Sequence, residues 1–362
     1  MKRKLSFDTQ VNIVRYAGSL LLTFLFGAVI ISLQGESPFA AIRYIFEGSF
    51  GSRVNLGNVL HWFASCAMVG YAAAVAFKSG VMNLGLEGQL YMGAWISAIL
   101  GYKLSLPPIL HPIVCIVAGM AAGLVWGLVP ALMKLVFQVN EIITTLMMNF
   151  IAILLTDYLT VLFLAHEGIT NVTVVKTPAI QKTAQLSVLI KGTSATTAII
   201  IAIVVGILLY LLYQYTVKGY ELKQVGENLR FAKTGGVNAT QTFISIFLLT
   251  SMLAGMCGAL EVLGVNHQFI TSFSSNMGWD GVMIARVATN NPLMVMAVSF
   301  FWAIFKAGSL YLERATELNR YVINLLQAIL VIFLSADYAM LMNKYYTAVK
   351  KRKQRLGEKE GA

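Results

Sequence analysis

FKSGVMNLGLEGQL, residues 77–90, places Lys78, Asn83, Glu87 and Gln89 between two long apolar segments, with glycines at 80, 85 and 88. A carboxylate at bilayer mid-depth costs about 2.5–3.5 kcal/mol on insertion scales, so such a residue faces a cavity or a partner. Closely spaced glycines let the backbone leave the helix, which lipid tolerates only where the break is enclosed by protein. A plain polar loop between two helices remains the bland alternative. On the functional reading, the stretch is an interrupted membrane segment.

The surroundings decide the class. Of the 362 residues 57% are hydrophobic and 12% charged, with a mean hydropathy of +0.72, which places the chain among all-α polytopic membrane proteins. At about 20 apolar residues per span there is room for eight to eleven, and no long soluble domain is left over. Cys66, Cys115 and Cys257 lie in apolar segments without paired spacing and read as small core residues. His61, His111, His166 and His267 are scattered, with no HExxH, and read as structural. No acid/base, nucleophile or metal constellation is visible, so no catalytic and no metal-ligating residues are assigned.

Working outward, ten spans are expected. Tyr16–Leu33 is read as an uncleaved first span behind a basic start. FAAIRYIF (39–46) suggests a short interfacial helix, and Val59–Phe77 is the second span. The third runs from about Gln89 to Tyr102 and stops before Pro107 and Pro108. Ile113–Val136 is the fourth, rich in small residues (AGMAAGLVWG, 118–127) that let helices approach closely. Asn140 and Glu141 open the fifth, Asn140 as a cap and Glu141 suited to the positive helix end. The longest polar loop, His166–Thr193, leads to the sixth span, Ala195–Tyr215, and Thr240–Leu263 is the seventh. After a loop with Trp279 and Asp280, VMIARVATNNP (282–292) is a short interrupted eighth segment. Leu293–Leu312 and Tyr321–Met342 complete the ten. Residues 1–342 thus read as one transmembrane domain and 343–362 as a basic tail.

Lysine and arginine placement orients this map. With the N-terminus, Lys78, Lys134, the Lys218–Lys233 loop, Arg286 and the tail on one face, that face holds 18 of the 27 basic residues and the other 8, with Lys306 inside a span. The richer face is cytoplasmic, so both termini are expected inside and the His166–Thr193 loop outside. The net charge of +11 therefore needs no nucleic-acid partner.

GVM recurs at 80–82 and 281–283, each beside polar residues and a break, which suggests two related halves. Interrupted segments at corresponding places in two halves point to a transport path. Asn83, Glu87, Gln89, Asn149, Asp280, Asn290 and Asn291 are accordingly the expected lining, although Asn83 and Glu87 could equally brace the broken helix. Residues 218–238 are charged and glycine-flanked; they are either a solvated loop or a surface helix presented to a soluble partner.

These motifs carry a resemblance. GVMNLGLEGQLYMGAW (80–95), NEIITTLMMNFIA (140–152), GYELKQVGENLRFAKTGGVN (219–238) and GWDGVMIARVATNNP (278–292) resemble, in order, four signatures of permease subunits of ABC importers. The branch is the one serving nucleosides, simple sugars and branched-chain amino acids, with the nucleoside permeases most similar. Arg286 and Thr289 depart from it, standing where the family is apolar and small. The resemblance implies a bacterial plasma-membrane subunit without its own ATPase site or cofactor. Its partners would be an ATP-binding subunit, a second and different permease chain, and an extracytoplasmic substrate-binding lipoprotein. Gly219, Glu221, Leu222, Gly226, Asn228, Ala232 and Gly236 would belong to a cytoplasmic coupling helix docking in the ATPase. The chain contains no GxxxxGK[ST], so ATP would be bound elsewhere. The rival class is an ion-coupled secondary transporter or channel, for which Glu87 and Asp157 would be the ion-carrying carboxylates.

Overall fold

The computed structural model of the chain describes residues 7–169, 174–319 and 321–335. The basic tail and the end of the expected tenth span lie outside them. Thirteen α-helices run through the described residues: α1 (Phe7–Leu33), α2 (Pro38–Phe50), α3 (Arg53–Lys78), α4 (Leu86–Lys103), α5 (Leu110–Phe137), α6 (Glu141–His166), α7 (Ala198–Tyr215), α8 (Val217–Glu227), α9 (Leu229–Thr234), α10 (Ala239–Glu261), α11 (Met277–Val287), α12 (Pro292–Ala315) and α13 (Tyr321–Ser335). Among the described residues there is no strand, and only isolated bridges such as Lys176 to Ile270.

Seven of these helices are long and apolar enough to cross a membrane, against the ten spans expected. The three that fall short do so for physical reasons. α4, 18 residues long, carries Glu87 and Lys103. α11 has 11 residues, about 16 Å of helix, which is half a bilayer crossing. α13 has 15 described residues. Two boundaries also move. α4 starts at Leu86, bringing Glu87 into its first turn, and α11 starts at Met277, so Trp279 and Asp280 are helical and not in a loop.

Residues 45–311 form one compact unit. Its interior helices are α3 and α10, with 83% and 67% of their apolar windows buried, whereas α5 and α6 bury 22% each and turn large apolar faces outward. The sequence accounts for the difference. α3 and α10 carry small residues all round (Ala64–Ala67, Gly70, Ala72–Ala74; Ala254–Ala259), which suits enclosure on every side. α10 lies against α4 so closely that a Cβ at Gly93 would overlap the main chain of Gly255; only glycine permits that approach. The expected Asn140 cap forms, its Oδ1 accepting the Ile142 N–H at 2.9 Å.

Residues 7–44 with 312–335 belong to a second unit, in which α1 and α13 pack together. Phe26 meets Phe333 at 5.5 Å between ring centroids, and Arg15 Nε donates to the Leu334 carbonyl at 2.7 Å.

Candidate translocation site

Two interruptions dominate the 45–311 unit. At the first, α3 closes with Gly80 in the left-handed region (φ +73°), the Val81 N–H reaching the Ala76 carbonyl at 3.0 Å, a Schellman-type stop. The non-helical backbone that follows is satisfied by side chains. Asn149 Nδ2 donates to the Leu84 carbonyl and its Oδ1 accepts the Gly88 N–H, both at 2.8 Å. Thr145 Oγ1 accepts the Leu84 N–H at 3.3 Å, and Asn83 Oδ1 the Gly85 N–H at 3.0 Å. Asn83 Nδ2 donates to Thr250 Oγ1 at 2.9 Å, and the amides of Asn83 and Gln89 pair reciprocally at 3.2 Å. Asn83, Gln89, Thr145 and Thr250 are fully buried.

The second interruption begins where α10 runs into one π-helical turn, Val262–Asn266, followed by left-handed His267 (φ +53°). Ser272, Ser275 and Asn276 are also left-handed. Here the main chain of the 174–186 loop does the bracing. Leu186 N–H donates to the Leu263 carbonyl at 2.9 Å, Ile180 N–H to that of His267 at 2.8 Å, and Thr177 N–H to that of Phe269 at 2.9 Å. Phe273 packs on Tyr91 (5.0 Å) and Phe269 (5.6 Å).

Glu87 joins the two. From the first turn of α4 its carboxylate accepts the Gly278 N–H at 2.6 Å and the Ser274 hydroxyl, and so caps the start of α11, whose own Asn276 makes no capping bond. The positive ends of two interrupted helices thus share one buried carboxylate. At the far end of α11, Thr289 (φ +49°) and Asn290 (φ +57°) are both left-handed. Asn291 Oδ1 caps α12 through the Leu293 N–H at 3.1 Å, with Pro292 at the first helical position.

The expected lining residues therefore fall into separate places. Asn83, Gln89 and Asn149 meet at the first interruption, and Glu87 reaches α11. Asp280 pairs with Lys306, Oδ2 to Nζ 2.5 Å, while its Oδ1 accepts from Trp302 Nε1 at 3.2 Å. Asn290 and Asn291 sit a helix length away, and Asn290 Oδ1 is buried without a hydrogen-bond partner. Arg286 and Thr289 are exposed, Arg286 lying over the Phe77 ring at 4.7 Å, while Ala285 and Ala288 face inward. The departure at these positions leaves the interior small and apolar.

A second carboxylate contact, buried Glu261 with part-exposed His61, escapes sequence inspection. His61 Nε2 lies 3.0 Å from both Glu261 oxygens, and the Ser65 hydroxyl donates to the same carboxylate. Its two members are 200 positions apart, and no motif flags either. Asp157 keeps one buried carboxylate oxygen without a hydrogen-bond partner. Among the described residues, no three His, Cys, Asp or Glu side chains are grouped to hold a metal ion.

Residues 217–234, where the resemblance implies one coupling helix, form two helices. Thr216 caps α8 through the Gly219 N–H at 3.0 Å; Asn228 then breaks the chain and caps α9, accepting the Arg230 and Phe231 N–H groups at 3.1 Å. Gly219, Leu222 and Ala232 point inward, and Leu222 shares a buried cluster with Val81, Ala131, Ile246 and Phe247. A Cβ at Gly226 would overlap the Lys78 carbonyl oxygen, so α8 rests directly on the end of α3. Glu221 pairs with Lys218 at 2.8 Å, and Gly236 is exposed in the left-handed region (φ +84°). The outward face instead carries Tyr220, Leu229 and Phe231, none of which the sequence assigned to docking. Three exposed large apolar side chains in so polar a segment were the available signal.

Residues 55–334 match the family model described as branched-chain amino acid transport system / permease component. The guanosine ABC transporter permease protein NupP of Bacillus subtilis is 27% identical over 89% of this chain and 92% of its own length. The nucleoside ABC transporter permease protein NupB of Lactococcus lactis is 26% identical over 80% and 82%. The probable riboflavin import permease protein RfuC of Treponema pallidum is 22% identical over 87% and 83%. No solved structure matches.

Proposed function

The chain belongs to the permease-component family of branched-chain amino acid transport systems, and from that premise we propose that it is the membrane subunit of an ATP-driven nucleoside importer. Membership makes it a multi-pass transport subunit of the ABC class; cargo, direction and coupling are the inference. Nucleosides are favoured because guanosine and nucleoside permeases are among its relatives over nearly the whole chain, and because residues 77–90 and 140–152 have the nucleoside-type form.

The observation that carries the mechanism is the seat of α8. Leu222 is buried beside Val81 of the first interruption, and Gly226 rests on the last carbonyl of α3. A displacement of α8 by an ATPase is therefore delivered to the Ser79–Gly85 break without an intervening flexible segment. ATP-driven closure of the partner would shift the population between inward- and outward-open states. Tyr220, Leu229 and Phe231 would enter the ATPase, with Gly219, Leu222, Gly226 and Ala232 holding them in place. The basic face, with both termini and residues 218–238, would be cytoplasmic, and the 174–193 loop would meet the substrate-binding lipoprotein outside. A second permease chain would complete the path. The ion-coupled alternative is less favoured, because Glu87 is held by fixed donors, which leaves Asp157 as a lone carboxylate with no second one among the described residues to relay to.

The test is guanosine uptake in cells carrying the ATPase and binding protein, with wild-type chain, no chain, or Phe231→Asp. Uptake with wild type alone, and loss of ATPase co-purification in a normally inserted Phe231→Asp protein, are expected. Guanosine uptake independent of the chain would reject the cargo, and full ATPase recovery with Phe231→Asp would reject the docking face.

A further inference from the structure

The two acid–base pairs and Trp62 remain without a role in the mechanism above. Four ionisable side chains between apolar helices are costly, and in membrane interiors they mark solute paths more often than scaffolding. Both pairs border the same stretch of α3. His61 and Ser65, one turn apart on one face, hold Glu261 at the last residue of α10 before the π turn. Such turns are rare and concentrate at functional sites. Trp62 lies beside them, its ring 5.2 Å from the His61 ring, with Lys306 Nζ 5.1 Å above it. Lys306 in turn holds Asp280. Trp62 thus stands between the two pairs and joins them into one cluster.

The cluster reaches the surface of the 45–311 unit at one end. From Phe63 to Ala76 every residue of α3 is buried, but His61 and Trp62 are part-exposed, at the point where that buried run begins. His61 Nδ1 makes no hydrogen bond to the described residues. The wall therefore offers an aromatic face, a free ring nitrogen, and carboxylates each already held by a basic side chain, His61 or Lys306. A charged solute would find no net attraction there. A flat, uncharged heterocycle finds a stacking surface and a hydrogen-bonding group.

Resting on the nucleoside reading, we propose that Trp62 is the shelf on which the nucleobase stacks as it enters the permease. His61, held by Glu261, addresses the edge of the base, and the Asp280–Lys306 pair fixes the indole from its other side. Stacking on an aromatic ring is tolerant of base identity, which suits a subunit that receives whatever the binding protein delivers.

The experiment uses the whole complex in proteoliposomes. With 8-azidoguanosine and light, the label is expected on the peptide Arg53–Lys78 and should be competed by guanosine. Trp62→Leu keeps apolar bulk without a π face and is expected to lower guanosine uptake about tenfold, while Trp62→Phe retains most of it. A shelf needed only to cover the ion pair predicts equal uptake for the two variants, and that result overturns the proposal. So does labelling confined to other peptides, a readout that stands even if Trp62→Leu fails to assemble. A wild-type complex that takes up no guanosine rejects the nucleoside reading and this inference together, whereas normal uptake with equal variants rejects this inference alone.

Discussion

The first interruption is held by side chains and the second by main chain. Around Leu84–Gly88 the free backbone groups are taken by Asn83 in the break itself and by Thr145 and Asn149 on α6, all buried. Around Val262–Phe269 the carbonyls are taken by the backbone of the 174–186 loop, with Thr177 Oγ1 adding one side-chain bond to the Phe269 N–H, and several residues there and beyond α11 stay in left-handed conformations disfavoured for side-chain-bearing residues. A side-chain network locked inside the helices has one good arrangement. A loop bonded through its main chain can leave and return as a unit. The first interruption thus resembles a fixed pivot and the second a movable part, with strain in reserve.

Glu87 spans both regions, so Glu87→Ala is expected to do the most damage. It strands the Gly278 N–H and the Ser274 hydroxyl in the interior and removes the cap from α11. A loss of about 3 kcal/mol should appear as a lower unfolding midpoint of the detergent-solubilised protein. Glu87→Gln keeps an acceptor and should lose less; equal loss in both would mean that charge, and not capping, is what matters. Asn149→Leu comes next, because it strips one donor and one acceptor from the first interruption, at about 2 kcal/mol. Should the fold keep its stability while transport disappears, Asn149 lines the path and the pivot picture fails. The smallest effect is expected at Thr289→Gly. Relief of the left-handed conformation, partly offset by glycine's greater freedom when unfolded, should stabilise by less than about 1 kcal/mol. Transport that slows in this more stable variant would show that the strain is used; destabilisation would remove strain from the comparison altogether.

Much of this architecture could be read from residues alone. The polar break, the Asn140 cap and the short eighth segment follow from composition and turn chemistry. The repeat was read through the wrong residues, however. Gly80–Met82 lies in the non-helical break, whereas Gly281–Met283 is inside α11, so the two GVM triplets have unlike structures. Glu87–Gly88 and Asp280–Gly281 correspond better: each places an acid in the first turn of the helix after an interruption, followed directly by a glycine. Three matching letters carried no information about which residue begins a helix. The His61–Glu261 pair was hidden because only the fold brings α3 and α10 together. The outward face of residues 217–234 was hidden for another reason. Asn228 resets the helical phase midway, and a segment of 11 residues followed by one of 6 has no single periodicity to read.

The seat of Gly226 on Lys78 has a genetic consequence. When two side chains touch, a loss on one side can be repaired by a complementary change on the other. Here the glycine faces a carbonyl oxygen, an atom that every residue at position 78 would supply. No substitution at Lys78 can therefore make room for a larger residue at 226. Revertants of a bulky Gly226 allele should map to distant sites that tilt α8 or shorten α3, or restore the glycine itself.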